Sequence, residues 1–331
     1  MMMNVLAKMK SVSVQCQLLL GLGIVAFSHA SIAREQVDQR ISTSDSPFVE
    51  IEHMNGSAEI IGWDKEEVQV TGELSDNTEE FIFEKNGNEI VIKVEIARDP
   101  GHWRNWKKSD GDDLTIYVPR ASFVDYTSIN AGVTIEDLHH SVNVEVINGS
   151  VDVKKVSGRV SLESVNGDID IRDVEGDVSI ETVNGDISGE HRSSKDLRLD
   201  TVNGDINIRT NSPEVKVTSV NGNIELAMES VNDLNIETVN GRVDATMNLA
   251  ARGFVRGSSV GGSMNFNFQK DVSARFDIQA HAGGRIINDL SDDEMQKAKY
   301  GPRRWLEFTH NGGDGRVDVS TVSGRITLGE K

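Results

Sequence analysis

The sequence predicts an all-β protein: a right-handed parallel β-helix or solenoid with two-strand rungs of about 18–19 residues. Three observations lead there. Asparagines of an Asn-Gly pair recur at Asn148, Asn166, Asn184, Asn203, Asn221 and Asn240, at intervals of 18, 18, 19, 18 and 19. Val and Ile alternate with polar residues in fragments such as "VDV", "IDI" and "VSI", the period-two signal of a strand with one buried face. Glycine is abundant (30) and proline scarce (5), and amphipathic helical patterns are almost absent.

In chain order, residues 1–33 read as a signal peptide. Lys8 and Lys10 form a basic start, "LLLGLGIVAF" (Leu18 to Phe27) an apolar run, and "SHASIA" offers small residues for cleavage after Ala30 or Ala33. An apolar run of about ten residues falls short of the roughly twenty that span a bilayer, so no stable membrane span is expected once the signal is removed. The sole cysteine, Cys16, lies within this segment, so a mature exported chain would fold without disulfides. At about 300 residues it can do so. Without Lys8 and Lys10 the balance is 32 basic against 53 acidic residues, a formal charge of −21. That excludes nucleic acid and anionic lipid as natural partners, since both demand concentrated positive charge.

Residues 34–130 read as an N-terminal β segment or cap, built from strands such as "FVEIEHMNGSAEIIGWD" and "NEIVIKVEI". Residues 131–331 form the repeat region. Its apolar positions recur as Val165, Ile169, Ile171, Val174, Val178, Ile180, Val183 and Ile187, and are expected to point inward. An antiparallel meander would suit Asn-Gly turns, but would pair Val165 with Asp168 and leave a long apolar face without cover. In a solenoid the next strand of the same wall comes 18 residues later, long enough for a parallel connection, and nearly all such crossovers are right-handed. Asn-Gly is then a corner: glycine supplies positive φ, and stacked asparagine amides bond from rung to rung. Ser164, Thr182, Thr201, Ser219 and Thr238 should form a parallel hydroxyl row. The closing rungs loosen, and Ser291 and Glu294 have capping-box spacing for a short helix over 291–300. Atypical segments at both ends are expected as caps.

The "GSAEIIGWD…VQVTG" opening, the "LTIYVPR" strand, the "VNGD" ladder and the closing "STVSGRITL" together resemble a bacterial family of exported β-strand-repeat proteins. These are usually labelled adhesins and have no assigned molecular function. The resemblance covers about residues 47–331. It implies a single-stranded right-handed β-helix and brings no catalytic residues with it.

No cofactor is expected. Calcium needs six to eight oxygens, and the column Asp168, Asp186, Asp205 breaks at Ser150, Asn223 and Arg242. "SDGDD" (Ser109 to Asp113) matches no calcium loop. No histidine shows metal-ligand spacing with a second His or Cys. The most ligand-like loop is Arg98 to Asp113, where Trp103, Arg104, Trp106 and Lys107 combine sugar-stacking faces with basic groups. "YGPRRWLEF" (Tyr300 to Phe308) has a similar character. The six asparagines are read as structural.

The expected function is that of an exported, non-enzymatic, adhesin-like binding or scaffold protein of the cell envelope, periplasmic or at the surface. Its partner would be an envelope polymer, a glycan or a protein. A periplasmic component of envelope maintenance or stress response is the alternative. A carbohydrate-active β-helix enzyme is a lesser one, because short uniform turns leave no walls for a cleft.

Overall fold

Twenty-four strands and no helix occupy the described residues, 34–96 and 111–331 of the computed structural model. The opening strands are β1 (Glu35–Ser42), β2 (Phe48–Trp63), β3 (Glu67–Leu74), β4 (Thr78–Asn86), β5 (Glu89–Ile96) and β6 (Asp112–Pro119). The regular stack contains β7 (Phe123–Glu136), β8 (Ser141–Asn148), β9 (Val151–Lys154), β10 (Ser157–Asn166), β11 (Ile169–Asn184) and β12 (Ile187–His191). It continues through β13 (Leu197–Asn203), β14 (Ile206–Thr210), β15 (Glu214–Asn221), β16 (Ile224–Asn240), β17 (Arg242–Ser259) and β18 (Ser263–Phe268). The closing strands are β19 (Ala274–Ala280), β20 (Arg285–Asn288), β21 (Gln296–Lys297), β22 (Arg304–His310), β23 (Gly315–Thr321) and β24 (Arg325–Glu330).

Two parallel walls face each other. On the first, Val142, Val160, Val178, Leu197, Val215 and Leu234 lie in register on successive strands. On the second, Val151, Ile169, Ile187, Ile206, Ile224 and Val243 do the same. This is a β-solenoid with one residue of each wall advancing by a rung every 18 or 19 positions, as the asparagine intervals require. The inward side chains, among them Leu162, Ile180, Leu199, Val217 and Ile236, are fully buried in one continuous core. Each contributes about 1.5–3 kcal/mol relative to exposure.

The corner differs from expectation in one respect. Strand alternation continues through it, so Ser164 and Thr182 point inward (4% and 1% exposed) while Val165 and Val183 face outward, half-buried. The tight inside of the corner takes the small hydroxyl residue, and the valine of each Val-Asn-Gly goes to the outer surface.

Both ends break chain order. At the start, β2 lies between β7 and the later rung formed by β5 and β6, pairing in parallel with all three. In-register stacking therefore reaches back to Phe48, and a boundary drawn at residue 130 cuts through β7. At the finish, β23 and β24 insert between the rung of β17 and β18 and the rung of β19 and β20. The first and last rungs of the chain are thus each held between two neighbours. Antiparallel strands then cover the exposed ladders: β3 pairs with β6 and then β1, β4 with β5, and β22 with β19. The outermost strands carry charged, exposed residues such as Glu79, Glu80 and Arg40, which discourages edge-to-edge pairing.

The short helix expected over 291–300 does not form. Ser291 Oγ is spent locally, accepting from Asn288 Nδ2 at 2.9 Å and donating to Asp293 Oδ2 at 2.8 Å, and Gln296–Lys297 pair as β21 with β22. Such side-chain bonds offer the backbone an alternative to the helix.

Candidate binding face

The asparagine corner is built as a continuous amide ladder. Each Nδ2 donates to the Oδ1 of the preceding rung: Asn148 to Asn130 at 2.8 Å, Asn166 to Asn148, Asn184 to Asn166 and Asn203 to Asn184 at 2.9 Å, Asn221 to Asn203 at 3.0 Å, and Asn240 to Asn221 at 3.4 Å. The ladder includes Asn130, which sequence reading passed over because Ala131 follows it rather than glycine.

The aspartate column beside it has a structural task. Asp168 Oδ1 accepts the backbone N–H of Asp186 at 2.9 Å, Asp186 that of Asp205 at 2.7 Å, and Asp205 that of Asn223 at 2.7 Å. Each carboxylate so fixes the next turn. Among the described residues no group of three or more His, Cys, Asp or Glu is placed to hold a metal.

Outside this corner runs an aliphatic row. Ile147, Val165, Val183, Val202, Val220, Val239, Val260 and Val322 occupy the outward position on successive rungs, the last three 37%, 48% and 42% exposed. Next to it on the wall lies an acidic row in which Glu145, Glu163, Glu181 and Asp200 are register partners. Arg198 partly neutralises its far end, 2.7 Å from Asp200 and 4.0 Å from Glu181. The result is a surface carrying parallel stripes: apolar, amide and acidic.

Sequence reasoning missed the polar groups sealed inside the stack. His53 and Asp112, on β2 and β6, are fully buried and 3.4 Å apart, with Tyr126 Oη 3.2 Å from His53 Nδ1. Burial alone would raise the Asp112 carboxyl, but the adjacent His53 imidazole and hydrogen bonds from the Ser75 amide and the Thr78 hydroxyl outweigh it and hold the group below its usual range. Burial pushes the Tyr126 hydroxyl up. His191 is buried on β12, with Nδ1 3.1 Å from Thr210 Oγ1 and Nε2 3.0 Å from the Gly176 carbonyl; burial lowers its pKa, partly offset by that carbonyl and Asp177. The inward hydroxyls of Ser164, Thr182, Thr201, Ser219 and Thr238 find no hydrogen-bond partner.

These groups are buried. An open depression of about 290 Å³ beside His191 is lined by Glu190, Arg192, Arg209, Met228 and Lys331. Arg192 there is committed to Glu190 at 3.0 Å. Trp103, Arg104, Trp106 and Lys107 lie outside the described residues. In the other aromatic segment Tyr300 is 84% exposed, and Arg303 sits over the Trp305 ring at 5.5 Å.

Stacked in-register rungs, capped ends and an uninterrupted corner ladder define a β-solenoid with a repetitive face. The chain belongs to the Toastrack DUF4097 family, whose model matches residues 48–286. No curated protein matches it. Among solved structures it is similar to a candidate cell adhesion protein of Clostridium sporogenes (7% identity, 90% of this chain and 100% of that one, TM-score 0.26). It is also similar to a candidate adhesin of Bacteroides fragilis (12%, 89% and 98%, TM-score 0.38) and a candidate lipid binding protein of Parabacteroides distasonis (13%, 88% and 96%, TM-score 0.40). Among the described residues no helix is long and apolar enough to cross a membrane.

Proposed function

We propose that this chain is an exported, non-enzymatic, adhesin-like binding or scaffold protein of the bacterial cell envelope, and that it meets its partner through the striped corner face. The carrying observation is the aliphatic row. An outward position on a sheet face that meets water is ordinarily polar, and the adjoining outward row is, with Glu145, Glu163 and Glu181 in sequence. Eight consecutive rungs nevertheless place Ile or Val outward, six of them directly before a ladder asparagine. Contiguous apolar surface rimmed by polar groups marks an interaction site. The acidic rim turns away polyanions and favours a neutral or cationic polymer or protein.

The test is cosedimentation with isolated envelope fractions, comparing the wild-type chain with a Val183→Gln, Val202→Gln, Val220→Gln triple variant whose circular dichroism matches it. Wild type should pellet with an envelope fraction and the variant should remain in solution. Equal behaviour of the two would remove the face from consideration. Protease shaving of intact cells decides the address: digestion places the protein at the surface, and survival until the outer membrane is opened places it in the periplasm, where an internal envelope partner replaces the adhesin reading.

A further inference from the structure

The sequence Asn-Gly carries intrinsic chemistry of its own. The backbone nitrogen of the glycine can attack the asparagine Cγ, forming a five-membered succinimide. The Cγ–Nδ2 bond breaks and ammonia leaves, taking the proton lost by the glycine nitrogen. Water then opens the ring at either carbonyl, giving aspartate or isoaspartate, with no oxidant or reductant involved. The attack needs a free N–H and a side chain able to swing onto it.

The ladder denies both. Gly149 N–H donates to the Asn166 carbonyl at 3.1 Å, Gly167 to Asn184 at 3.2 Å, Gly185 to Asn203 at 3.1 Å, Gly204 to Asn221 at 3.2 Å and Gly222 to Asn240 at 3.3 Å. The matching side-chain amides are held rung to rung. The protection stops where the pattern stops. On the next rung Gly261 stands where an asparagine would be, so no side chain donates to Asn240 Oδ1, and among the described residues the Gly241 N–H has no acceptor. The Asn240 amide is also held by the longest bond of the series, 3.4 Å.

We propose that Asn240 is a site of spontaneous, non-enzymatic deamidation, and that the ladder shields the asparagines before it. Isoaspartate at 240 inserts an extra backbone atom at the corner and displaces the carbonyl that holds Gly222. Modification then spreads down the stack, to Asn221 and next to Asn203.

The full exported chain is incubated in mildly alkaline buffer and its peptides are mapped by mass spectrometry. Asn240 should lose its amide about tenfold faster than Asn184, the factor one released hydrogen bond supplies, and Asn221 should follow with a lag. Denaturation in urea should bring the pairs to similar rates, because their local sequences are nearly identical. A Gly261→Asn variant extends the ladder; a Cβ there would lie 3.3 Å from Asn240 Oδ1, so the side chain fits with a small adjustment. It should slow loss at 240 and move the vulnerable end to residue 261. Equal rates at Asn240 and Asn184 in the folded chain, a difference that persists in urea, or an unchanged rate at 240 in the variant would each overturn the proposal.

Discussion

The imidazole of His53 and the carboxylate of Asp112 face each other at 3.4 Å with neither side chain exposed. They come from rungs whose spatial order departs from chain order, and Asp112 also holds the start of β4. Its Oδ1 accepts the Ser75 amide and the Thr78 hydroxyl, both at 2.7 Å. Removing one member of a buried pair strands the other, so Asp112→Ala should cost about 3–5 kcal/mol in urea unfolding. Because the folded carboxyl lies below its unfolded value, its stabilisation is present above the ordinary carboxylate range and is lost as pH falls through the folded value. Asp112→Asn should therefore lose less stability than wild type on acidification below about pH 4. Parallel curves would show that the carboxylate is not what ties the cap down.

His191 should supply a second, milder acid response. It replaces the aliphatic residue usual on this wall and is register partner to Thr210, which in turn pairs with Met228. Burial depresses its folded pKa below 6.5, so the unfolded chain takes up a proton first as pH falls. Its share of stability is complete above pH 6.5 and declines from there until the folded value is passed. His191→Gln should flatten unfolding free energy between about pH 6.5 and 5 while costing about 1 kcal/mol at pH 8. A wild-type slope surviving in the variant would assign the response to other groups.

The inward hydroxyls offer a stabilising change. Thr182 Oγ1 is buried without a partner, and hydroxyls on adjacent rungs stand about 4.8 Å apart, too far to bond each other. Ser164 is register partner to Val146, which fills the same inward position at 3% exposure, so valine fits the site. Thr182→Val should raise stability by about 1 kcal/mol in thermal or urea unfolding. A loss of that size would mean the hydroxyl is satisfied by solvent.

Much of this was legible in the residues, and the limits have physical causes. The 18- and 19-residue intervals gave rung length and parallel stacking, because in-register strands must repeat at the length of one turn. Periodicity does not say which rungs are neighbours once it lapses. The insertion of β2 inside β5 and β6, and of β23 and β24 inside β19 and β20, therefore left no trace. Apolar character alone sent Val165 and Val183 inward; strict alternation from Leu162 through Ser164 would have sent them out. His53 and Asp112 are far apart in the chain and meet only through that end rearrangement. Asn130 was hidden by the alanine after it.

Glycine at the corner was expected for positive φ, and the structure separates two roles. Gly149, Gly222 and Gly241 do have φ of 153°, 146° and 146°, but Gly167, Gly185 and Gly204 lie outside that region. At Gly185 a Cβ would overlap the Gly167 carbonyl oxygen of the preceding rung, and the same holds along the column. The shared requirement is close approach of stacked backbones. Gly87, in the β4–β5 turn, is the converse: its φ is 68° and a Cβ would meet nothing within 4 Å. Gly185→Ala should therefore cost about 3 kcal/mol or more, since backbone cannot yield without opening the corner. Gly87→Ala should cost only the left-handed conformation, about 1–2 kcal/mol. Urea unfolding of the two variants side by side measures the difference. Equal losses would return the explanation to φ and remove close packing as the reason for the repeated glycine.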